Sequence, residues 1–367
     1  MPAEWEPHAA TWLAWPHERT DWPGKFAPIP WVYADIVRHL ARVERVRILV
    51  QNREAQSQVR RVLEKSGADL GGVEFFIVPT NRGWIRDFGP IFLKKTANRD
   101  GEESENRGGD IALTNWRFNA WAKYDDWKND DDATRHLIPK LKLPFWEPVY
   151  KTRETPAERR PRQKAWKLET RVVLEGGSID VNGRGTLITT EECLLSSTQS
   201  RNPALTREDL QAVFRDYLGI TSVLWLGCGI AGDDTHGHVD DLARFVDPST
   251  IVTVVEANPG DANFEPLQEN LARLREMKDQ SGQPIRIETL PMPQPVYFAG
   301  QRLPASYANF YIANNLVLVP TFSDAHDRIA LSTLARLFPG REVIGIGCRD
   351  LVLGLGTLHC MTQQQPT

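Results

Sequence analysis

The sequence predicts an α/β fold in which a ββαβ-type unit recurs about five times and closes into a ring, with strands inside and helices outside. Three observations lead there. Segments with apolar residues at helical spacing alternate with strand-like runs along the whole chain. Several of those runs come as hairpins, which requires mixed or antiparallel pairing and argues against an ordinary doubly wound parallel sheet. The repeats differ too much in length for a solenoid of regular period. A chain of 367 residues with 41% hydrophobic composition is long enough to bury the core that such a ring needs.

Taken in order, residues 10–16 read as a short strand stopped by proline. Val32, Ile36, Val37, Leu40 and Val43 recur at helical spacing, so Trp31 to Val43 is expected to be a helix. Val46 to Val50 follows as a buried strand, Glu54 to Lys65 as a helix closed by Ser66-Gly67, and Val73 to Val78 as a strand. After a turn, Trp84 to Leu93 opens a hairpin. Residues 94–110 are polar and glycine-rich and read as a surface loop. The acidic run Asp125 to Asp132 reads as a solvated helix start. Residues 151–167, rich in Lys, Arg and Pro, read as an exposed insertion, since no aromatic platform for nucleic acid repeats there. Val172 to Val181 and Thr186 to Thr189 make a hairpin across Asn182-Gly183, the strongest short-range hairpin signal. Thr206, with Asp209 three residues on, starts a helix to Leu218. A strand (Thr221 to Leu226) and a hairpin (His238 to Val246 with Ile251 to Glu256) follow. Then come a helix (Asn263 to Lys278) and a strand (Ile285 to Leu290). The last unit is a hairpin (Tyr307 to Ala313 with Leu316 to Pro320), a helix (Asp324 to Phe338) and a strand (Val343 to Ile346). A glycine-flanked, strand-like segment ending in Cys360 closes the chain.

Composition removes several classes. A net charge of −4 gives no case for nucleic acid or membrane partners, and no apolar run approaches the ~20 residues that span a bilayer. The first eight residues show no basic, then apolar, leader, so no signal peptide is expected. Cys193, Cys228, Cys348 and Cys360 are widely spaced, which fits free thiols in a reducing, cytoplasmic compartment. Twelve tryptophans, several beside Gly, Asp or Asn, fit an aromatic-lined cleft or rigid packing under loops.

Chemistry-bearing residues fall at matching places in the units. Asp87 lies in the first strand of one hairpin, Glu175 precedes Gly176-Gly177 in the next, His238 and Asp240 open the third, and Cys360 ends the last. In a ring they converge at one mouth. Each has a bland alternative: Asp87 paired with Arg86, Glu175 exposed, His238 structural, Cys360 buried and inert. As a set they suit a thiolate attacking an electron-poor carbon, with His238 moving protons. Two inward carboxylates repel unless a cation lies between them, and a planar guanidinium matches both. Attack at its carbon would expel ammonia and leave an S-alkylthiouronium on Cys360. Two other motifs compete. His236-Gly237-His238-Val239-Asp240 resembles an H-x-H-x-D metal motif but lacks a second histidine cluster, so no metal is expected. Gly227-Cys228-Gly229-Ile230-Ala231-Gly232 is a literal G-x-G-x-x-G, yet no helical period follows it, so no dinucleotide is expected.

Six motifs, in order, carry a resemblance: Met1 to His8, Trp84-Ile85-Arg86-Asp87-Phe88-Gly89-Pro90, Phe118-Asn119-Ala120-Trp121, Glu175-Gly176-Gly177, Gly237-His238-Val239-Asp240 and His359-Cys360-Met361-Thr362-Gln363-Gln364. They resemble the agmatine deiminase family, which includes the bacterial-type peptidylarginine deiminases. The resemblance implies a five-bladed pseudo-symmetric α/β-propeller, a single domain over residues 1–367 with surface insertions near 94–110 and 151–170. It implies hydrolysis of agmatine to N-carbamoylputrescine and ammonia without cofactor or metal; deimination of free or peptidyl arginine is the alternative. It makes Cys360 the nucleophile, His238 the general acid/base and Glu175 its acidic partner. Asp87 and Asp240 become guanidinium clamps, Trp84 and Trp121 walls of the channel, and Asp234 the acid for the distal amine. The partner is a small guanidino compound, and a homo-oligomer is compatible with it. Two departures bear on the substrate's far end. Gly354-Leu355-Gly356-Thr357-Leu358 replaces the usual Gly-Gly-Gly-Asn-Ile, and Arg82 near the channel would disfavour a diamine tail.

Overall fold

The computed structural model of the protein describes residues 1–95, 110–152 and 168–367. Most of the two expected insertions therefore lies outside the described residues. Among the described residues, five sheets share one plan: an antiparallel pair, then a parallel neighbour reached through a helical crossover. In the first, Thr362–Pro366 runs antiparallel to His8–Ala14, which pairs in parallel with Arg45–Val50 and, one strand on, Val73–Ile77. The second joins Ile91–Lys94, Ile111–Thr114 and Phe145–Trp146. The third joins Asp180–Val181, Thr186–Thr190 and Ser222–Leu226. The fourth joins Ala243–Asp247, Thr250–Val255 and Arg286–Pro291. The fifth joins Tyr311–Ala313, Leu316–Thr321 and Glu342–Gly347. The mixed pairing expected from the hairpins is thus present, and the last strand of the chain is built onto the first.

A parallel neighbour needs a crossover of a dozen or more residues, and each sheet uses a helix for it. These are Ile29–Leu40 and Arg53–Ser66, then Lys128–Leu141, Arg207–Leu218, Phe264–Glu276 and Asp327–Leu337. Each buries one stripe. In Arg207–Leu218 it is Leu210, Val213, Phe214 and Leu218, each contributing about 1.5–3 kcal/mol. That helix starts at the expected capping box, Thr206 with Asp209, and stops at Gly219 at φ 72°. Helix Ile29–Leu40 begins two residues ahead of the expected Trp31, because Pro30 sits comfortably in a first turn.

The strand expectations fail in one systematic way. Asp87 is not in a strand: Ile85–Phe88 is a helical turn, and the strand begins at Ile91. Glu175 leads a 3₁₀ turn, Gly176–Ser178, before strand Asp180–Val181. His238 leads another, Val239–Asp241, before strand Ala243–Asp247. Cys360 does not end a strand; it precedes Thr362–Pro366. In every case the chain turns and spends its polar groups on a shared centre instead of a ladder. The acidic run does start a helix, Lys128–Leu141, and is solvated except at one residue. Asp130 is fully buried, and its Oδ1 accepts the backbone N–H of Asn81 at 2.7 Å, fixing the chain just before Trp84.

Candidate active site

Because the turns precede equivalent strands, they bring one polar group from each sheet to a common centre: Asp87, Glu175, His238 with Asp240, Asn309 and Cys360. Asn309 belongs to the fifth sheet and was missed in the sequence. Its Nδ2 donates to Cys360 Sγ at 3.1 Å, and its Oδ1 accepts from the His359 N–H at 3.0 Å and from Thr357 Oγ1 at 2.8 Å. Two residues ahead of Tyr311, it occupies the same place as Cys360 ahead of Thr362, and that repeat position was the available signal.

Gly177 lies at the geometric middle. A Cβ there would stand 2.7 Å from His238 Nδ1, 2.9 Å from Asp87 Oδ1 and 3.0 Å from Asp240 Oδ2. At Gly176 it would meet Arg86 O at 2.3 Å. The Glu-Gly-Gly motif therefore exists for close approach: Gly177 N–H donates to Asp87 Oδ1 at 3.1 Å. His238 Nδ1 stands 3.8 Å from Asp87 and 4.0 Å from Asp240. Glu175 Oε1 takes the guanidinium of Arg201 at 3.0 Å, both side chains being fully buried. Arg201 is a second residue that the sequence did not reveal. Glu175 Oε2, both ring nitrogens of His238 and Asp240 Oδ1 are buried and find no hydrogen-bond partner among the described residues.

The electrostatics follow. Burial pushes Asp87 up to about 6, with His238 opposing and Asp240 and Glu175 adding. Burial opposes charge on His238, but Asp87, Cys193 and Asp240 outweigh it and lift the imidazole well above its ordinary range. Burial also pushes the Cys360 thiol far up, with Asp240, Asp241 and Asp87 adding and the Asn309 amide opposing. Asp240 lies 3.6 Å from Cys360 Sγ, and burial on it is outweighed by His359, His238 and Arg244, which hold it below the usual carboxylate range. The resting site is a protonated thiol facing carboxylates. A cation placed between them removes the repulsion and lets the thiol ionise.

A cavity of about 420 Å³ opens onto Cys360 and Asp87 and is walled by Trp84 and Trp121. Trp84 Nε1 donates to Asp21 Oδ2 at 3.1 Å, and Trp121 Nε1 to Asp87 Oδ2 at 2.8 Å. Trp121 sits in a left-handed turn, Ala120, Trp121 and Ala122 at φ 49°, 57° and 53°. L-residues pay about 1–2 kcal/mol each for that conformation. Asn119 Oδ1 holds it by accepting the Ala122 N–H at 3.0 Å. Gly356 is required because a Cβ would meet the Trp84 ring at 2.9 Å, whereas Leu355 stands at φ 68° where a glycine would fit without strain. Arg82 also lines the cavity, but it is bound by Asp21 and Asp126, so it is not a free cation. Asp234 lines it too, already engaged by Lys123 and, at 2.6 Å, by the Tyr124 hydroxyl.

The competing motifs resolve differently. His236 approaches Ser196 Oγ at 3.3 Å and Glu192 at 3.8 Å instead of joining His238 and Asp240. Among the described residues, Glu175, Cys193 and His238 bring three ligand-type atoms within 4.8 Å, with Arg201 already neutralising Glu175. The G-x-G-x-x-G run opens no helix. Gly229 is needed because its Cβ would stand 2.5 Å from Gly237 Cα, and Asp233 then holds the Gly237 and His238 amides at 2.7 and 3.1 Å.

A family model described as Porphyromonas-type peptidyl-arginine deiminase matches residues 1–366. An agmatine deiminase of Pseudomonas aeruginosa is 32% identical, over 100% of this chain and 95% of its own. A solved agmatine deiminase of Enterococcus faecalis superposes with a TM-score of 0.83 at 29% identity, covering 100% of this chain and 95% of that one. A solved putative arginine deiminase of Porphyromonas gingivalis gives 0.81 at 36% identity, covering 100% and 98%. With an end-to-end family match and full-length relatives above 30% identity, the chain belongs to the Porphyromonas-type peptidyl-arginine deiminase family.

Proposed function

We propose that this protein hydrolyses the guanidinium of agmatine to N-carbamoylputrescine and ammonia, with Cys360 as nucleophile. The observation that carries the proposal is the buried thiol facing Asp87 and Asp240 at one end of a tryptophan-walled cavity. The guanidinium enters between the two carboxylates, and its charge lowers the cost of the Cys360 thiolate, whose proton leaves to water in the cavity. Sulfur bonds to the guanidinium carbon, and His238 gives its proton to the departing nitrogen. The C–N bond breaks and ammonia leaves, with an S-alkylthiouronium on Cys360. His238, now neutral, takes a proton from water as the oxygen bonds to the same carbon. Collapse to the ureido carbonyl breaks the C–S bond, and the hydroxyl proton passes to the departing sulfur, restoring the Cys360 thiol as the ureido product leaves. Glu175, held by Arg201, steadies the charged form of His238.

Agmatine is preferred because the basic residues at the cavity are already paired. Asp21 and Asp126 hold Arg82, and Asp234 holds Lys123, so among the described residues no unpaired base of the lining opposes a dication. Asp234 is assigned to the distal ammonium, which exchanges with Lys123. The full-length agmatine deiminase relatives support the same substrate. The described cysteines are all free, in keeping with a cytoplasmic enzyme. We further read the five sheets as blades of one closed α/β-propeller domain over residues 1–367. Their shared plan, the last strand on the first and the five turns meeting at one centre support it.

Ammonia and ureido-product release from agmatine, arginine and an arginyl peptide tests the reading, with Cys360→Ala alongside. Agmatine turnover lost in the variant is expected. Turnover of arginine or peptide alone would move the specificity, and activity surviving in Cys360→Ala would overturn the thiol mechanism.

A further inference from the structure

His359 takes no part in the steps above, yet both of its ring nitrogens are held beside them. Its Nδ1 lies 2.7 Å from Asp240 Oδ2 and its Nε2 lies 2.8 Å from Glu4 Oε2, with all three side chains at most 4% exposed. It does not line the cavity. Ionised carboxylates only accept hydrogen bonds. Burial works against the charge on Glu4, but Arg244, His359 and Arg86 hold it well below the usual carboxylate range. Asp240 is held low as well. Glu4 is also bound by Arg86 and Arg244, and against ionised carboxylates on both sides each ring nitrogen must donate.

The charge balance of the cluster points the same way. Arg86 reaches Glu4 at 3.2 Å; Arg244 reaches Glu4 and Asp180 at 2.9 Å each. Two guanidinium groups therefore face three acids, Glu4, Asp180 and Asp240. A cationic His359 balances them, whereas a neutral ring leaves one net negative charge buried. The other groups facing Asp240 do not alter this. Burial, with Asp240 and Asp233, pushes Asp241 well up, so it stays neutral. Asp87 and His238 face each other, and Cys360 is a thiol at rest.

We propose that His359 is a positioning residue: an imidazolium fixed between Glu4 and Asp240 that keeps Asp240 ionised and aimed at the substrate guanidinium. The proposal rests on the reading of Asp240 as a guanidinium clamp. Glu4 lies 355 positions away in the chain, so the opening Met1 to His8 motif acquires a purpose: it supplies the counter-charge beneath the nucleophile turn.

His359→Gln keeps one donor and removes the cation. Asp240 then rises by about one to two pH units toward Asp87, so the acid limb of kcat/KM for agmatine steepens from one proton toward two and its midpoint moves up by at most about 0.4 pH unit. Above that limb the variant recovers most of its activity, which a merely disordered site would not do. A folded His359→Gln with an acid limb coincident with wild type would overturn the proposal. Neutron diffraction from deuterated wild-type crystals near pH 8 needs no variant. Deuterium on both ring nitrogens of His359 is expected, and deuterium on one overturns the proposal. That measurement stands even if agmatine proves not to be the substrate, so its failure is separable from failure of the functional reading.

Discussion

Replacing Gly177 by alanine would place one methyl group among the three side chains that handle charge in this site. Its backbone is outside the left-handed region, so the added methyl is the whole perturbation. The new Cβ would stand 2.7 Å from His238 Nδ1, 2.9 Å from Asp87 Oδ1 and 3.0 Å from Asp240 Oδ2, and real Cβ contacts almost never fall below 3.0 Å. Two of the three are tied by their side chains and the third through its backbone. Trp121 and the Gly177 amide tie Asp87, His359 ties Asp240, and Asp233 holds the His238 backbone. Overpacking of this kind costs about 1–3 kcal/mol of stability. Moving groups that must meet a substrate by a few tenths of an ångström to an ångström costs up to about 10²-fold in rate. The assay is ureido-product formation from agmatine over a range of concentrations, with thermal unfolding in parallel. Gly340→Ala is the control, since a Cβ there meets nothing within 4 Å. Wild-type kcat/KM in a stable Gly177→Ala would refute the claim that close approach at this glycine preorganises the site.

Three further outcomes are expected. Arg201→Ala leaves Glu175 buried without its partner and should cost about 3–5 kcal/mol in chemical denaturation; an unchanged midpoint would show that Glu175 is neutral in the folded protein. Asp87, pushed up to about 6, must be ionised to clamp a guanidinium, so kcat/KM should fall as pH drops through about 6. Its raised pKa makes the folded state bind that proton more tightly than the unfolded chain. This group's contribution therefore penalises folding at pH 7 and is relieved as pH falls. Asp87→Asn should accordingly be inactive yet more stable relative to wild type at pH 7.5 than at pH 5, and thermal unfolding giving the opposite order would sink the argument. Lys123→Met frees Asp234 for a substrate ammonium, so KM for agmatine should drop about two- to fivefold with kcat unchanged, the scale of an exposed ion pair. A rise in KM would mean that Lys123 itself contacts substrate.

Much was legible in the sequence because it is local. Apolar spacing located the crossover helices other than Lys128–Leu141, of which only the acidic start was read, Asn182-Gly183 announced its hairpin, and the capping box at Thr206 and Asp209 appears as read. The thiol, the histidine and the acids were recognisable because their chemistry is in their identity and their recurrence beside strands is visible along the chain. Local pattern could not tell whether a polar residue ends a strand or turns away just before one. Both carry the same apolar neighbours, and Asp87, His238 and Cys360 were misplaced for that reason. Nor could it assign partners. Arg82 looked like a free cation at the channel until Asp21 and Asp126 closed on it, and Asp234 looked free until Lys123 and Tyr124 reached it. Arg201 carries no signature of its own, and the roles of Asn309, Glu4 and His359 could not be read from their places in the sequence. Each acts through a residue brought near by folding, as Glu4 meets His359 from 355 positions away. The sequence determined which chemical groups the protein has and the repeating unit that carries them. Only the tertiary structure decided their protonation and pairing, because charge in a buried centre depends on which counter-charges the closed chain brings within about 4 Å.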